Sequence, residues 1–220
     1  MEQSEHADWS QVRLRRVPRG LGGSSHLPGS LLADRAAGRH VRQLPAANED
    51  GAVTGDTFLL DANIFIEAHR RYYGLDLCPG FWESLRHFAR RARVLSIDRV
   101  YRELEDGGDA LWQWAKDSPR GLFVSSAAPG IVAAYSEIMA WVDGHPQFFP
   151  EAKSKFASEA DGWVAAYARV HGTIVVTHER HDPNVKKRVP LGNVCHEFGL
   201  PIKDTFEMLR ELQVRFGWER

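Results

Sequence analysis

The chain has 220 residues, of which 43% are hydrophobic and 26% are charged, and its formal net charge is −1. This composition is typical of a globular domain with an appendage and too apolar for a chain that is disordered throughout. The near-neutral charge excludes a polybasic surface, so nucleic-acid binding would need a local patch. No apolar run predicts a membrane span, the acidic start lacks the apolar core of a secretory signal, and two cysteines without a CxxC pair fit a reduced compartment. We therefore expect a cytoplasmic protein.

The first 56 residues differ from the rest of the chain. Glycine clusters such as GLGG at 20–23 and poor apolar periodicity predict that residues 1–56 are a disordered N-terminal extension. Four arginines between 13 and 19 leave open an arm that grips a partner, although a solvated tail is the simpler interpretation. Residues 57–220 are long enough to bury a complete core as one domain. We expect deletion of 1–56 to leave the activity unchanged.

From residue 57 onward, short apolar runs alternate with helical patterns. FLLDANIFI at 58–66 predicts a buried strand followed by a turn. Asp98 is predicted to cap a helix. Further strands are predicted at 93–97, 121–126, 173–179 and within 194–204, helices at 81–92, 99–106, 111–119, 131–144, about 159–170 and 205–217, and a polar loop at 181–194. This alternation predicts an α/β fold with a mainly parallel sheet.

Two acids stand out because each ends an apolar strand. Asp61 follows Phe58-Leu59-Leu60, and a carboxylate in such a run is costly to bury unless it is paired or metal-bound. Glu179 ends TIVVTHE and should reach the same edge of the sheet, where open α/β sheets bind ligands. The structural alternatives are a helix-capping role for Asp61 and an exposed loop position for Glu179.

Two further acids lie in predicted helices. Asp161 lies in a first turn, one step from the apolar face, and Ser158 could form a capping box with it. Glu159 is a competing candidate beside it. Glu103 lies at the edge of the packed face of its helix, and Arg99 could hold it in a surface ion pair at i, i+4.

Four carboxylates at one rim would repel one another and retain protons unless a cation neutralised them. Ligation by oxygen alone selects hard cations such as Mg²⁺ or Mn²⁺. Such an ion lowers the pKa of a bound water and holds a phosphate oxygen. The matching reaction is hydrolysis of a phosphodiester.

The order of these acids resembles the PIN-domain ribonucleases. It comprises an aspartate in LLDANIFI, a glutamate about 40 residues on, an aspartate in EADGWVAAYA and an acid after IVVT. The nearest resemblance is to the PIN-like (VapC-like) toxins of bacterial toxin–antitoxin pairs. The tail TIVVTHE…VCHEFGLPIKDTFEMLRELQVRF is similar to a PIN-like branch of formerly unknown function. The resemblance covers roughly 58–218.

The resemblance implies a fold, a site and partners. The implied fold is a doubly wound three-layer α/β/α sandwich, with 57–220 as the nuclease domain. Asp61, Glu103 and Asp161 match the principal metal ligands of the family. The implied activity is Mg²⁺-dependent (or Mn²⁺-dependent) endonucleolytic cleavage of RNA by a homodimer that a cognate antitoxin restrains.

Three further positions match supporting residues of the family. Glu179 stands where many members have an aspartate, so that it could ligate through water. Asn63 matches a small polar residue that braces the first aspartate, and Thr177 matches a polar residue near the fourth acid.

Basic residues near the acids could contact RNA phosphates. The loop after Glu179 offers Lys186, Lys187 and Arg188 as the best candidates. A second basic stretch near the rim in sequence leads to Glu103, and for its 86–93 part a solvated helix face is favoured: Arg86, Arg90, Arg91, Arg93, Arg99 and Arg102.

The sequence offers three alternatives to a nuclease. Zinc binding by His178, His181 and Cys195 fits no zinc spacing. An aspartyl-phosphate enzyme or receiver using Asp61 lacks the DxD pattern and a suitably placed lysine. A catalytically degenerate PIN-like module that binds RNA or an antitoxin stays open, with Glu179 as its sequence support.

Overall fold

A computed structural model describes residues 56–217, and the fold is given for that range. All of the strand pairs are parallel, and the strand order is β3-β2-β1-β4-β5. The strands are β1 (Phe58–Leu60), β2 (Val94–Ile97), β3 (Phe123–Val124), β4 (Ile174–Val176) and β5 (Ile202–Lys203). The extension predicted at 1–56 lies outside the described residues, apart from Asp56.

Helices cover both faces of this sheet and confirm the expected three-layer α/β/α sandwich. Right-handed crossovers put α1 to α4 on one face and α5 to α8 on the other. Accordingly, α1 and α4 pack on α3, while α5 and α8 pack on α7. The nine helices of the described range are α1 (Ala62–Glu67), α2 (Pro79–Ala89), α3 (Asp98–Gly107), α4 (Ala110–Lys116), α5 (Pro129–Gly144), α6 (Pro150–Ser158), α7 (Asp161–His171), α8 (Leu191–Glu197) and α9 (Thr205–Glu211). None of these described helices combines the length and the apolar character needed to cross a membrane.

The sheet positions the site through its strand order. The chain moves from β1 outward to β2 and β3, then crosses back to place β4 on the other side of β1. Strand order therefore reverses between β1 and β4, and the carboxyl ends of these two strands flank a crevice. Open α/β sheets bind ligands at such a switch point. Asp61 follows β1 directly, and Thr177 follows β4 directly.

Several predicted elements differ in extent. The turn expected after β1 is instead α1, which runs into a π-helical turn at Ala68–Tyr72. Its apolar run is compatible with strand or helix, and the structure buries Ile64, Phe65 and Ala68 on one helical face. The region 150–172, predicted to contain at least one helix, holds α7 at the predicted place and α6 before it, and the polar loop predicted at 181–194 ends where α8 begins.

The capping role predicted for Asp98 is wrong. This residue is the first residue of α3 rather than its cap. Its Oδ1 accepts hydrogen bonds from the backbone N–H of Ser126 at 3.1 Å and from the Ser126 hydroxyl at 2.6 Å. Asp98 therefore ties the start of α3 to the segment after β3, because a tertiary donor competes with the local backbone.

Candidate functional site: an acidic cavity at the carboxyl edge of the sheet

A cavity of about 330 Å³ opens at the crevice between β1 and β4. Four predicted acids from four separate segments line it: Asp61 after β1, Glu103 in α3, Asp161 at the start of α7 and Glu179 after β4. Folding thus brings together carboxylates that are far apart in sequence. We call this the acidic cavity.

Asp61 is held by two elements at once. Its side chain is buried, and its Oδ1 accepts a hydrogen bond from the backbone N–H of Ala62 at 2.6 Å. Its Oδ2 accepts one from the Thr177 hydroxyl at 2.9 Å. The capping alternative therefore accounts for one carboxylate oxygen, and the end of β4 orients the other.

Thr177 can donate its proton only to Asp61. Its Oγ1 already accepts hydrogen bonds from Asn63 Nδ2 at 3.0 Å and from the backbone N–H of Glu179 at 3.1 Å. A hydroxyl has one proton and two acceptor positions, so both acceptor positions are filled. Asn63 also accepts from the backbone N–H of His178 at 3.3 Å. Asn63 thus braces Asp61 through Thr177 rather than by direct contact.

Glu103 holds the start of α7. Its Oε1 accepts a hydrogen bond from the backbone N–H of Ala160 at 2.7 Å, directly before Asp161. The surface ion pair with Arg99 is wrong: among the described residues, Arg99 instead places its guanidinium 3.7 Å from the centroid of the Trp163 ring. A helix on one face of the sheet thereby positions an acid on the other face.

Asp161 is not part of a capping box. Ser158 ends α6 and donates its hydroxyl proton to the carbonyl of Lys155 at 2.7 Å. The residue before α7 is Ala160, which has no side chain able to cap it. Glu159 also lines the acidic cavity, where it pairs with Lys155 at 3.4 Å.

Both oxygens of Glu179 are engaged, so the exposed-loop alternative is wrong. Its Oε1 accepts a hydrogen bond from Arg188 Nη1 at 2.7 Å, and its Oε2 accepts from the backbone N–H of Leu191 at 2.7 Å. Glu179 therefore holds the start of α8 and the guanidinium of Arg188 at the cavity. Direct metal ligation would require one of these bonds to break.

Of the three residues predicted to contact phosphates, the structure places one at the acidic cavity. Arg188 lines the acidic cavity, whereas Lys186 and Lys187 are exposed on the adjoining loop. The carbonyl of Lys186 accepts a hydrogen bond from the backbone N–H of Phe149 at 2.9 Å, which ties this loop to the start of α6.

The arginines at 86–93, for which a solvated helix face is the favoured interpretation, do not line the acidic cavity. They precede β2 and lie at the amino edge of the parallel sheet, opposite the cavity. Arg93 donates to the carbonyl of Asp56 at 2.7 Å, and Arg86 pairs with Glu83 at 3.0 Å. These contacts are structural.

The acids perturb one another electrostatically. Burial, with repulsion from Glu179 and Glu103, raises the pKa of Asp61 to about 7. Burial, followed by repulsion from Asp61 and Glu179, raises the pKa of Asp161 well above its ordinary value. Burial also raises the pKa of Glu103. A divalent cation in the cavity would oppose these effects by stabilising the ionised forms.

The donor set fits a hard divalent cation. Asp61, Glu103 and Asp161 offer only carboxylate oxygens, which Mg²⁺ and Mn²⁺ prefer. Among residues 56–217, no group of three or more His, Cys, Asp or Glu side chains is arranged to hold a metal ion. The four acids therefore line one cavity without forming a closed set of ligands.

The residues considered for zinc have other contacts. His178 Nε2 lies 3.3 Å from the Thr205 hydroxyl oxygen, and the ring of His181 stacks on His196 with the centroids 4.1 Å apart. Cys195 is fully buried, and burial raises the pKa of its thiol. This arrangement supports the rejection of a zinc site.

The sequence of this domain matches a known family. A family model described as a domain of unknown function (DUF4411) matches residues 58–216. The chain belongs to this DUF4411 family. The match spans all four acids of the cavity. No curated protein matches the chain.

The DUF4411 domain has cavity residues that sequence reasoning missed. Lys155 and Glu67 line the acidic cavity, together with the apolar side chains of Phe156 and Val189. The i, i+4 spacing of Lys155 and Glu159 was visible in the sequence. The position of α6 over the carboxyl edge was not visible, because it depends on the loop contacts of Phe149.

Proposed function

We propose that this DUF4411 domain is a Mg²⁺- or Mn²⁺-dependent endoribonuclease of the PIN-like kind. The observation that supports this most is the convergence of four carboxylates from four chain segments on one cavity at the switch point. Carboxylate-rich sites at this position suit hydrolysis of a phosphodiester, in which negative charge must be neutralised.

The chain's own residues have separate tasks in this proposal. Asp61, Glu103 and Asp161 would hold the metal ion, with Glu179 acting through water. When bound, the ion supplies a water of lowered pKa and neutralises charge on a phosphate.

The surrounding contacts orient these acids. Thr177 orients one oxygen of Asp61, and Glu103 fixes the start of α7. Arg188 lies at the cavity and contacts a phosphate of the substrate, with Lys186 and Lys187 on the adjoining loop.

The choice of RNA and of partners rests on the residue-level resemblance. The order of LLDANIFI, Glu103, EADGWVAAYA and the acid after IVVT is that of PIN-like toxins. We therefore propose that the domain cleaves RNA as the toxin of a toxin–antitoxin pair, as a homodimer in the cytoplasm, and that a cognate antitoxin restrains it.

Substitution of the two buried acids tests the activity. We expect purified Asp61→Asn and Asp161→Asn variants to lose RNA cleavage while keeping the wild-type circular dichroism spectrum, because each loses a charged metal ligand. Asp106→Asn, which neutralises an exposed acid of α3, is the matched control and should cleave like the wild type. RNA ends are mapped after induced expression, and purified proteins are assayed with Mg²⁺ or EDTA. Retained cleavage by either pure cavity variant rejects the assignment.

A second candidate is a catalytically degenerate module that binds RNA or an antitoxin without cutting. The engagement of both Glu179 oxygens by Arg188 and Leu191 favours it. A titration with Mn²⁺ separates the two functions. The enzyme binds Mn²⁺ and Asp61→Asn abolishes that binding, whereas the degenerate module binds no metal.

A further inference from the structure

A stack of three side chains connects α3, α5 and α7. The guanidinium of Arg99 lies 3.7 Å from the centroid of the Trp163 ring. Trp163 in turn stacks on Tyr135, with centroids 3.8 Å apart and ring planes 11° from parallel. Arg99 lies one turn before Glu103 in α3, and Trp163 lies two residues after Asp161 in α7. The same two helices therefore carry the stack and two of the cavity acids.

The guanidinium of Arg99 is held in place but has no anionic partner among the residues that the structure describes. Its Nε is buried and makes no hydrogen bond within residues 56–217. The ion pairs of that part of the chain include Arg86, Arg169 and Arg188, each with a glutamate, but not Arg99. An aromatic ring stabilises the cation without accepting from the in-plane N–H groups. The buried Nε without a partner is costly but closed to a ligand, so an anionic ligand would bind the two Nη groups, which are not among the buried atoms without a partner.

A phosphate diester fits this arginine in shape and in charge. The planar fork of a guanidinium matches two phosphate oxygens, and a side chain already held by stacking loses little freedom on binding. Arg99 follows β2, the neighbour of β1, at the same carboxyl edge as the cavity.

We propose that Arg99 binds a backbone phosphate of a single RNA strand that runs along the carboxyl edge from the acidic cavity. This inference rests on the proposed function and extends it to the path of the substrate.

The test compares two arginines of one helix. Arg99→Gln removes the stacked charge, and Arg102→Gln removes an exposed charge from the same helix. Binding of a fluorescein-labelled single-stranded oligoribonucleotide is measured by anisotropy in EDTA at several salt concentrations. We expect Arg99→Gln to weaken binding about tenfold and to lower the slope of log affinity against log salt by about 0.7, the value for one phosphate contact. Arg102→Gln should change neither quantity appreciably.

Cleavage kinetics in Mg²⁺ give a second readout. Loss of a contact made equally in the ground state and the transition state raises KM and leaves kcat unchanged. We expect this split for Arg99→Gln, an intermediate KM for Arg99→Lys, and wild-type Mn²⁺ affinity for both variants. An unchanged circular dichroism spectrum shows that the stack is not needed for folding.

The outcomes distinguish this inference from the proposed function. If the wild type cleaves RNA and Arg99→Gln binds and cleaves it normally, the inference is wrong and the function stands. If neither the wild type nor any variant cleaves RNA, but Arg99→Gln weakens RNA binding and Arg102→Gln does not, the proposed function fails and the phosphate contact stands. Equal weakening by both substitutions indicates general electrostatics and overturns the inference. Binding of inorganic phosphate that Arg99→Gln abolishes, together with unchanged RNA affinity of the same variant, assigns Arg99 to a free anion and also overturns it.

Discussion

At the scale of single residues, the carboxyl group of Asp61 is the most constrained group of the site. Its two oxygens accept from Ala62 in α1 and from Thr177 after β4, so neither oxygen is free to rotate away from the cavity. Burial and neighbouring acids raise its pKa to about 7. The same features that orient this carboxylate also make its charge costly without a cation.

The stability of the metal-free protein should therefore depend on pH. The pKa of Asp61 is about 7 in the folded state against an ordinary aspartate value of 3.8, so the folded state binds the proton more tightly. This contribution to stability is complete below about pH 4 and is lost as the pH rises through about 7, at up to about 1.4 kcal/mol per pH unit. We expect the Tm in EDTA to fall over this range and Mg²⁺ to restore it at the upper end.

Asp61→Asn is the control for this pH dependence. The variant should show a flatter profile and, at neutral pH without metal, should melt no lower than the wild type, because it relieves repulsion. A clear drop in its Tm would mean that the amide of the variant, which keeps an oxygen for the N–H of Ala62 but presents an N–H group to the Thr177 hydroxyl, costs more than the repulsion that it relieves.

We expect stability and metal binding to depend on the hydroxyl group of Thr177 rather than on the volume of its side chain. Thr177→Val leaves the amide of Asn63 and the backbone N–H of Glu179 without their acceptor, at a cost of about 1–3 kcal/mol in the free energy of unfolding. Loss of the donor to Asp61 should also weaken Mn²⁺ binding about 10- to 100-fold, as for other groups that orient metal ligands. Thr177→Ser keeps the hydroxyl and should retain both properties. Urea unfolding and Mn²⁺ titration measure the two effects, and equal behaviour of the two variants would refute this role.

At the scale of elements, backbone N–H groups at the start of two helices on one face donate hydrogen bonds to glutamates from other segments. Glu103 of α3 accepts from Ala160 at the start of α7, and Glu179 after β4 accepts from Leu191 at the start of α8. A carboxylate near a helix N-terminus satisfies unpaired N–H groups and interacts favourably with the helix dipole. The helices are thereby placed by the residues that also line the cavity.

Two substitutions of Glu103 separate the effect of its charge from the effect of its hydrogen bond to Ala160. The amide oxygen of Glu103→Gln can still accept from Ala160, so we expect wild-type Tm together with weakened Mn²⁺ binding and loss of cleavage. Glu103→Ala removes the hydrogen bond as well and should cost a further 1 kcal/mol or so of stability, about the value of a helix cap. Thermal melts and RNA cleavage are measured in parallel. A fully active Glu103→Gln variant would leave Glu103 with a positioning role only.

At the scale of the whole molecule, the topology decides which residues meet. With strand order β3-β2-β1-β4-β5, the ends of β1 and β4 are neighbours although more than a hundred residues separate them, and the Thr177–Asp61 hydrogen bond spans 116 positions. The loop after β4 and the start of α6 then close the remaining sides through Lys186 and Phe149.

Residues 1–55 should be dispensable for the chemistry. Within residues 56–217, the side chains that line the cavity fall between Asp61 and Val189, and Asp56 supplies the carbonyl that accepts from Arg93. We expect a chain that starts at Asp56 to bind Mn²⁺ and to cleave RNA like the full-length protein. A folded but inactive truncation, checked by circular dichroism, would instead show that the N-terminal segment takes part in the reaction.

The sequence predicted most of the elements but not their lengths. Helices α2, α3 and α5 begin or end within about two residues of their predicted bounds, because amphipathic spacing, Pro129 and the Gly107-Gly108 pair mark them locally. The segment after Asp61 was expected as a turn and is a helix. A short apolar run has no periodicity that separates the two, and packing against α3 decides between them.

By itself, the sequence determined the α/β class and the location of two acids, Asp61 and Glu179, at strand ends, because burial on both faces of a parallel sheet requires apolar runs that a carboxylate interrupts visibly. Only the tertiary structure decided which side chains of other elements the charged residues contact. Glu179 pairs with Arg188, Asp98 with Ser126, and Arg99 stacks on Trp163. Such partners lie on different elements, so their contacts depend on strand order and helix packing, which residue patterns within one segment do not encode.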